Sequence, residues 1–336
     1  MAHIILGVET SCDETAAAVY SDTSGLLSNI ILSQDIHEQH GGVVPELASR
    51  DHMQQLLTII QRALKKASIN KDKLTAIAYT AGPGLAGCLM VGATMAKSLA
   101  WSLNIPAIGV NHLEGHILAP QLENPAIDFP FLALLVSGGH TQLVHAHNLG
   151  KYDVLGQTID DAVGEAFDKV AKLLGLGYPG GAKLSKLAAT GKNVFNLPIP
   201  MANQDDLNFS FSGLKTAVYY ATKKLNIADN KVKANLACSF EQAAVSSLVH
   251  KTLSASQGTG LKKILLTGGV SANKVLRAKM LYLARQHGLE IFYATPNLCT
   301  DNAAMIAYAG SKYLQLDKID HDLAINIYPR WSLKHG

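Results

Sequence analysis

Short apolar runs that break into glycine, hydroxyl and acidic residues set the pattern of this chain. Runs of this kind predict strands at 4–9, 15–20, 27–32, 75–79 and 106–110, while apolar positions three and four apart predict helices at about 45–67 and 86–103. Further along, strands are predicted at 131–137, 142–147, 263–267 and 290–294. Helices are predicted around 160–174, 181–190, 212–224, 230–255, 273–287 and 301–315. Strands alternating with helices are the grammar of an α/β protein. Pro125 and Pro130 bracket a stretch that reads as a crossing between lobes. A first lobe is therefore expected over 1–127, completed by 301–336, and a second over 128–300. Residues 191–209 lack periodicity and read as an insertion or flexible loop within the second lobe.

Three of the predicted strands end alike. Ile4–Val8 runs into Glu9-Thr10-Ser11-Cys12-Asp13, Phe131–Val136 into Ser137-Gly138-Gly139-His140-Thr141, and Ile264–Leu266 into Thr267-Gly268-Gly269-Val270-Ser271-Ala272-Asn273. At such ends, backbone N–H groups and hydroxyls face outward with no large side chain in the way, which suits an anion. The first two, one in each half, suggest a duplicated fold. All three together predict a nucleotide held in a cleft between two lobes.

Composition narrows the class. Hydrophobic residues make up 48% and charged residues 16% of 336, which is the balance of a globular protein with room for two domains. No apolar run reaches the length of a membrane span, and the amino terminus lacks the basic start of a signal peptide, so a cytoplasmic protein is expected. Cys12, Cys88, Cys238 and Cys299 form no C-x-x-C pair and read as reduced thiols. A net charge of +3 neither requires nor excludes a nucleic-acid partner.

The chemistry-bearing residues cluster after the strands. His112 and His116, in Asn111-His112-Leu113-Glu114-Gly115-His116, stand one helical turn apart on one face, as two ligands of one metal require. The same spacing also fits one histidine that caps or packs beside one that is exposed. The pattern is not H-E-x-x-H, because Leu113 follows the first histidine directly. Asp301 is the best candidate for a third ligand, although a single Asp at that position is more often a helix cap. Ser137-Gly138-Gly139 suits a phosphate or a hairpin turn, and the Gly268–Asn273 turn suits a purine or a tight turn capped by Ser271. Asp161, Glu165 and Asp168 are expected on one helical face, where a carboxylate would suit a ribose or simply solvent. Tyr178-Pro179-Gly180-Gly181 reads as a hinge, and Phe209–Thr216 as a helix start with Ser212 as cap. Asp13 and Glu14 are the acidic residues of the first strand's turn, fit to hold a water, a metal or an amine. Cys12 has no histidine nearby in sequence to make it a thiolate.

Taken together, Val8-Glu9-Thr10-Ser11-Cys12-Asp13-Glu14-Thr15, Gly42-Val43-Val44-Pro45-Glu46, Gly82-Pro83-Gly84, His112–His116, Val136–Thr141, Gly268–Asn273 and Cys299-Thr300-Asp301-Asn302 resemble the bacterial tRNA threonylcarbamoyladenosine transferase family, TsaD, once described as O-sialoglycoprotein endopeptidases. The likeness covers essentially the whole chain. It implies a fold of the actin, sugar-kinase and Hsp70 type. It further implies transfer of threonylcarbamoyl from threonylcarbamoyl-AMP to N6 of adenosine 37 in tRNAs reading codons that begin with A, with release of AMP. By resemblance, His112, His116 and Asp301 would bind one divalent metal, iron(II) or zinc. Leu135, Val136, Ser137, Gly138, Gly139, Asp168, Gly181 and Asn273 would bind the adenylate. In the mechanism expected for such a site, Asp13 or Glu14 either helps to deprotonate the attacking amine or only orders the first loop. The implied partners are tRNA, the paralogous subunit TsaB and the ATPase TsaE. Ala182 departs from the family, whose bacterial members usually carry Pro there. A metalloprotease, suggested by the histidine pair, and a sugar kinase or Hsp70-like binding module of the same fold are the competing expectations.

Overall fold

The computed structural model describes residues 2–40, 42–202, 204–319, 322 and 324–333. Residues 1, 41, 203, 320, 321, 323 and 334–336, which fall within the expected lobe ranges and the 191–209 insertion, lie outside the described ones. The chain forms two compact units: Met1–Ile127 with Leu149–Lys151 and Thr300–Gly336, and Asp128–Asn148 with Tyr152–Cys299.

In the first unit, strands β1 (Ile4–Glu9), β2 (Glu14–Ser21), β3 (Gly25–Ser33), β4 (Ala76–Gly82) and β5 (Ala107–Asn111) form one sheet in the order β3-β2-β1-β4-β5. β1 pairs antiparallel with β2 and parallel with β4, and β4 pairs parallel with β5. β4 is buried along its whole length, as its unbroken apolar run requires of a strand covered on both faces. Helices α1 (Pro45–Ala67) and α2 (Ala86–Leu103) turn Leu56, Ile60, Ala93 and Ala96 onto Leu6, Val8, Val19 and Ile77 of the sheet. β5 runs straight into α3 (His112–Glu123), and the tenth helix, α10 (Ala303–Gln315), returns from the end of the chain to lie on β1, β2 and β4. Gly7 makes that approach possible. A Cβ there would drive into the Ala303 carbonyl oxygen and the Ala307 amide of α10.

The second unit repeats the plan. Its strands β6 (Phe131–Val136), β7 (Thr141–Asn148), β8 (Lys151–Gln157), β9 (Lys263–Thr267) and β10 (Glu290–Tyr293) stand in the order β8-β7-β6-β9-β10, the same succession as in the first sheet. β6 again pairs antiparallel with its successor and parallel with β9. Helices α4 (Val163–Leu173), α5 (Gly181–Ala188), α6 (Ser212–Lys224), α7 (Asn230–Thr259), α8 (Lys274–His287) and the single turn α9 (Pro296–Cys299) complete it. Its core gathers Leu132, Leu134, Phe167, Phe209, Phe211, Phe240, Leu248 and Ile264.

Some expectations are corrected. Helix α4 begins at Val163 rather than near 160, so Asp161 precedes it and does not share its face with Glu165 and Asp168. The reason is a cap supplied from the sheet: Val163 N–H donates to Thr141 Oγ1 at 2.8 Å, and Gly164 N–H to the Ser137 carbonyl at 3.2 Å. β8 and α3 had no counterpart among the expected elements. Asn273, not Ser271, caps α8, and Ser212 lies inside α6 rather than capping it. Among the described residues, no helix is long and apolar enough to cross a membrane.

Candidate metal centre

The first unit assembles its chemistry where β1 ends and where α3 and α10 begin. Asn111 starts α3 by accepting from Leu113 N–H at 2.9 Å and Glu114 N–H at 3.3 Å. The helix is then buried from His112 to Gln121, its polar side chains included, as an internal helix requires. Asn302 caps α10 by accepting from Met305 N–H at 3.0 Å. The capping role expected as an alternative for Asp301 thus falls to its neighbour, and Asp301 stands one residue outside the helix.

His112, His116 and Asp301 come together there, with one ligand atom from each lying within 4.8 Å of the others. Asp301 Oδ1 is 2.9 Å from His116 Nε2 and 3.6 Å from His112 Nε2. The imidazoles meet edge to face at 4.7 Å. Two imidazole nitrogens and one carboxylate oxygen suit a borderline divalent ion such as iron(II) or zinc, and three protein ligands leave positions open for a substrate. These residues fit a metal.

Behind them stands a residue the sequence did not single out. Glu9, the last residue of β1, is wholly buried and lies 2.9 Å from His112 Nδ1. Its other contacts are donors as well: Ser11 N–H at 2.5 Å and the Thr80 hydroxyl at 2.6 Å. A carboxylate on Nδ1 fixes the imidazole so that Nε2 faces the metal position, the common outer-shell arrangement of metal-ligating histidines. Burial alone would raise the Glu9 carboxyl, but the charge and hydrogen bond of His112 hold it below its ordinary value. Burial would likewise lower His112, yet Glu9 and Asp301 push it up to about 9. His116 keeps a buried Nδ1 with no partner among the described residues.

Other acids in the first unit have different duties. Glu114 accepts from Gly150 N–H at 2.9 Å and the Tyr313 hydroxyl at 2.7 Å, so it ties α3 to α10 rather than activating a water. Burial, Asp301 and Asp13 push Glu14 up to about 10. Burial, with the charge of Asp13, also pushes the Cys12 thiol well above its usual value, leaving it no thiolate character.

In the second unit, Leu135 and Val136 are wholly buried in β6, and their side chains build its core. Ser137, Gly138 and Gly139 form the β6–β7 hairpin turn, with both glycines exposed and open space where a Cβ would be. Ser137 N–H donates to the His140 carbonyl, and Ser137 Oγ accepts from His140 N–H at 3.1 Å. Asp168 Oδ1 accepts from the N–H groups of Gly180 and Gly181, at 2.9 and 2.7 Å. Asn273 accepts from Leu276 N–H and donates to Glu241 Oε1 at 2.7 Å and Ser185 Oγ at 3.1 Å. Glu241 and Ser185 were absent from the sequence candidates. No local pattern marks them, since the polar network closes only once α5, α7 and α8 have packed.

A model of the family TsaD, tRNA N6-adenosine threonylcarbamoyltransferase, matches residues 25–308. The chain belongs to the TsaD family. That family is one of acyltransferases. The fold of this TsaD-family chain is shared by solved structures at low identity. HypF from T. kodakarensis matches with a TM-score of 0.64 at 15% identity, over 94% of this chain and 48% of that one. A full-length HypF in a phosphate- and nucleotide-bound form matches with a TM-score of 0.61 at 15% identity, over 93% and 47%. Component A of the (R)-2-hydroxyglutaryl-CoA dehydratase of Acidaminococcus fermentans matches with a TM-score of 0.53 at 14% identity, over 94% and 99%. The chain spans about half the length of the HypF chains it matches. At such identities these likenesses establish the fold, the duplicated α/β type of actin, sugar kinases and Hsp70.

Proposed function

We propose that the chain transfers threonylcarbamoyl from threonylcarbamoyl-AMP to N6 of adenosine 37 in tRNAs reading codons that begin with A, releasing AMP. The observation that carries the reading is the convergence of His112, His116 and Asp301, backed by buried Glu9, in a chain of the TsaD family.

The substrate is already activated, so no protein nucleophile is required. N6 attacks the carbamoyl carbon, a C–N bond forms, the C–O bond to the phosphate breaks, and N6 loses a proton. A divalent ion at His112, His116 and Asp301, iron(II) first and zinc second, would supply Lewis-acid polarisation of the carbonyl. Glu9, on His112 Nδ1, holds the imidazole so that Nε2 would be the atom to ligate such an ion. The N–H groups of Gly138 and Gly139, at the exposed tip of the turn, are assigned to the phosphate, whose negative charge grows as AMP leaves. Asp168 and Gly181 are assigned to the ribose and Asn273 to the adenine side, with Leu135 and Val136 acting through the backbone at the end of β6. Asp13 or Glu14 is assigned the proton that N6 loses. The paralogous subunit TsaB and the ATPase TsaE are the proposed partners, and the cytoplasm the proposed compartment.

The test is transfer of labelled threonylcarbamoyl from its adenylate to an unmodified tRNA, with TsaB and TsaE present, wild type beside His112→Ala. Transfer by the wild type alone, confined to tRNAs with adenosine 37 and an anticodon for codons beginning with A, is the expected result. Absence of transfer by the wild type, under conditions in which another TsaD-family protein is active, would refute the reading.

A further inference from the structure

Helix α6 turns Leu214 and Val218 into the core of the second unit and leaves Lys215, Thr216 and Tyr219 on its outer face, with Lys223 one turn further on. The Lys223 ammonium lies 5.1 Å from the centre of the Tyr219 ring. Tyr220, 62% exposed, stands beside Tyr219 at 5.7 Å between ring centres. From α4 come Lys169, Lys172 and Leu173, and the two helices together line a cleft of about 380 Å³.

The charges around this cleft are unevenly matched. Asp161 holds Lys169 at 2.6 Å and Lys215 at 3.0 Å, and Glu165 holds Lys169 at 2.8 Å. These pairs fix the two lysine stems along the walls. Lys172, Lys223 and Lys224 are exposed and form no ion pair with another described residue, and α6 contains no acidic residue. An apolar floor of Leu173 and Tyr219, with the unmatched ammonium of Lys172 at its edge and those of Lys223 and Lys224 further along α6 outside its lining, suits a ligand that is flat, aromatic and anionic at once.

We propose that this α4–α6 cleft binds an unpaired nucleotide of an RNA, its base against the Tyr219 ring, and that Lys172 together with Tyr220, Lys223 and Lys224 on the adjoining face of α6 engages the strand flanking that nucleotide. An acidic protein segment would engage the lysines but leave the cleft and the two tyrosine faces unused. The proposal rests on the reading that the chain acts on RNA, and it adds where on the second unit the RNA is gripped.

Binding is measured by fluorescence anisotropy with the full chain at 50–200 mM KCl. The probes are an unmodified tRNA transcript, a single-stranded oligouridylate, a blunt RNA duplex and an oligoglutamate peptide. The triple variant Lys172→Gln/Lys223→Gln/Lys224→Gln is expected to bind tRNA at least tenfold more weakly at low salt. Its log–log salt slope should flatten by about 2, since each single-strand phosphate contact contributes about 0.7. Tyr219→Leu/Tyr220→Leu should weaken oligouridylate about tenfold, the size of one lost base stack, and leave the duplex within twofold. All five side chains are exposed, so circular dichroism should report an unchanged fold. A triple variant that binds tRNA within twofold of the wild type, with the same slope, overturns the proposal. So does a tyrosine variant that loses duplex and single strand equally, or an oligoglutamate that binds more tightly than oligouridylate of equal charge. The transfer assay separates this surface from the proposed function: RNA binding lost in the variants without any wild-type transfer refutes the activity and keeps the surface. Wild-type transfer with variants that bind normally refutes the surface alone.

Discussion

Glu9→Gln isolates what the buried carboxylate does for His112. Three donors converge on it: Ser11 N–H on one oxygen, and the Thr80 hydroxyl and His112 Nδ1 on the other. Glutamine keeps the shape but makes one of those two positions an NH₂ group. If it faces Ser11, a buried backbone N–H loses its acceptor, at a cost of about 1–3 kcal/mol. If it faces His112, Thr80 can rotate to accept, but Nδ1 must give up its proton. The imidazole then carries its hydrogen on Nε2, the atom that has to ligate. The second arrangement is the less costly, and it impairs the metal position. Loss of such an outer-shell partner lowers metal affinity about 10–100-fold, equivalent to about 1.4–2.8 kcal/mol. The assay is competition for Zn²⁺ between the protein and a chromogenic chelator at fixed pH, with a urea melt to confirm that the fold persists. Zn²⁺ affinity within twofold of the wild type, on an intact fold, would refute the role given to Glu9.

Other outcomes follow from the same geometry. Asn302→Ala removes the α10 cap and should cost about 1 kcal/mol in a urea titration while also weakening Zn²⁺ binding, because Asp301 is the preceding residue. Gly268→Ala should cost at least about 2 kcal/mol, since φ there is +84° and a Cβ would strike the Val136 carbonyl oxygen; a melting temperature within 2 °C of the wild type would contradict this. Asp161→Asn should destabilise by about 1 kcal/mol at neutral pH, since it leaves Lys215 without its carboxylate and Lys169 with Glu165 alone. Lys169 and Lys215 hold the Asp161 carboxyl below its ordinary value against the effect of burial. Its contribution is therefore present above the unfolded-state pKa of about 3.9 and is lost as pH falls through the depressed folded value, so wild type and variant should converge in stability at strongly acid pH.

What could be read from the chain alone was whatever its local pattern encodes. Continuous apolar runs such as Phe131–Val136 marked buried strands, and the spacing of His112 and His116 marked one helical face before any helix had been assigned there. The start of α4 was misplaced because its cap is Thr141, 22 residues upstream on a neighbouring strand. β8 went unread because Lys151–Gln157 alternates only weakly between buried and exposed positions. Glu9 was hidden for the same reason as Thr141. It ends an apolar run like any strand terminus, and only the pairing of β1 with its neighbours and the start of α3 bring it to a histidine 103 residues away. Asp301 was legible because it precedes a helix, though it is Asn302 that caps that helix.

The return of α10 to the first sheet has a consequence for synthesis. His116 and Asp301 are 185 residues apart, and at about 5–20 residues per second a ribosome takes about 10–40 s to travel that distance. Throughout that interval β1, β2 and β4 lack the helix that covers them, and the two histidines have no third ligand. The second unit, encoded almost entirely within the gap, has time to fold first. A nascent chain therefore cannot bring Asp301 to the two histidines until the stretch around α10 has emerged, which places assembly of this cluster after synthesis of the second unit.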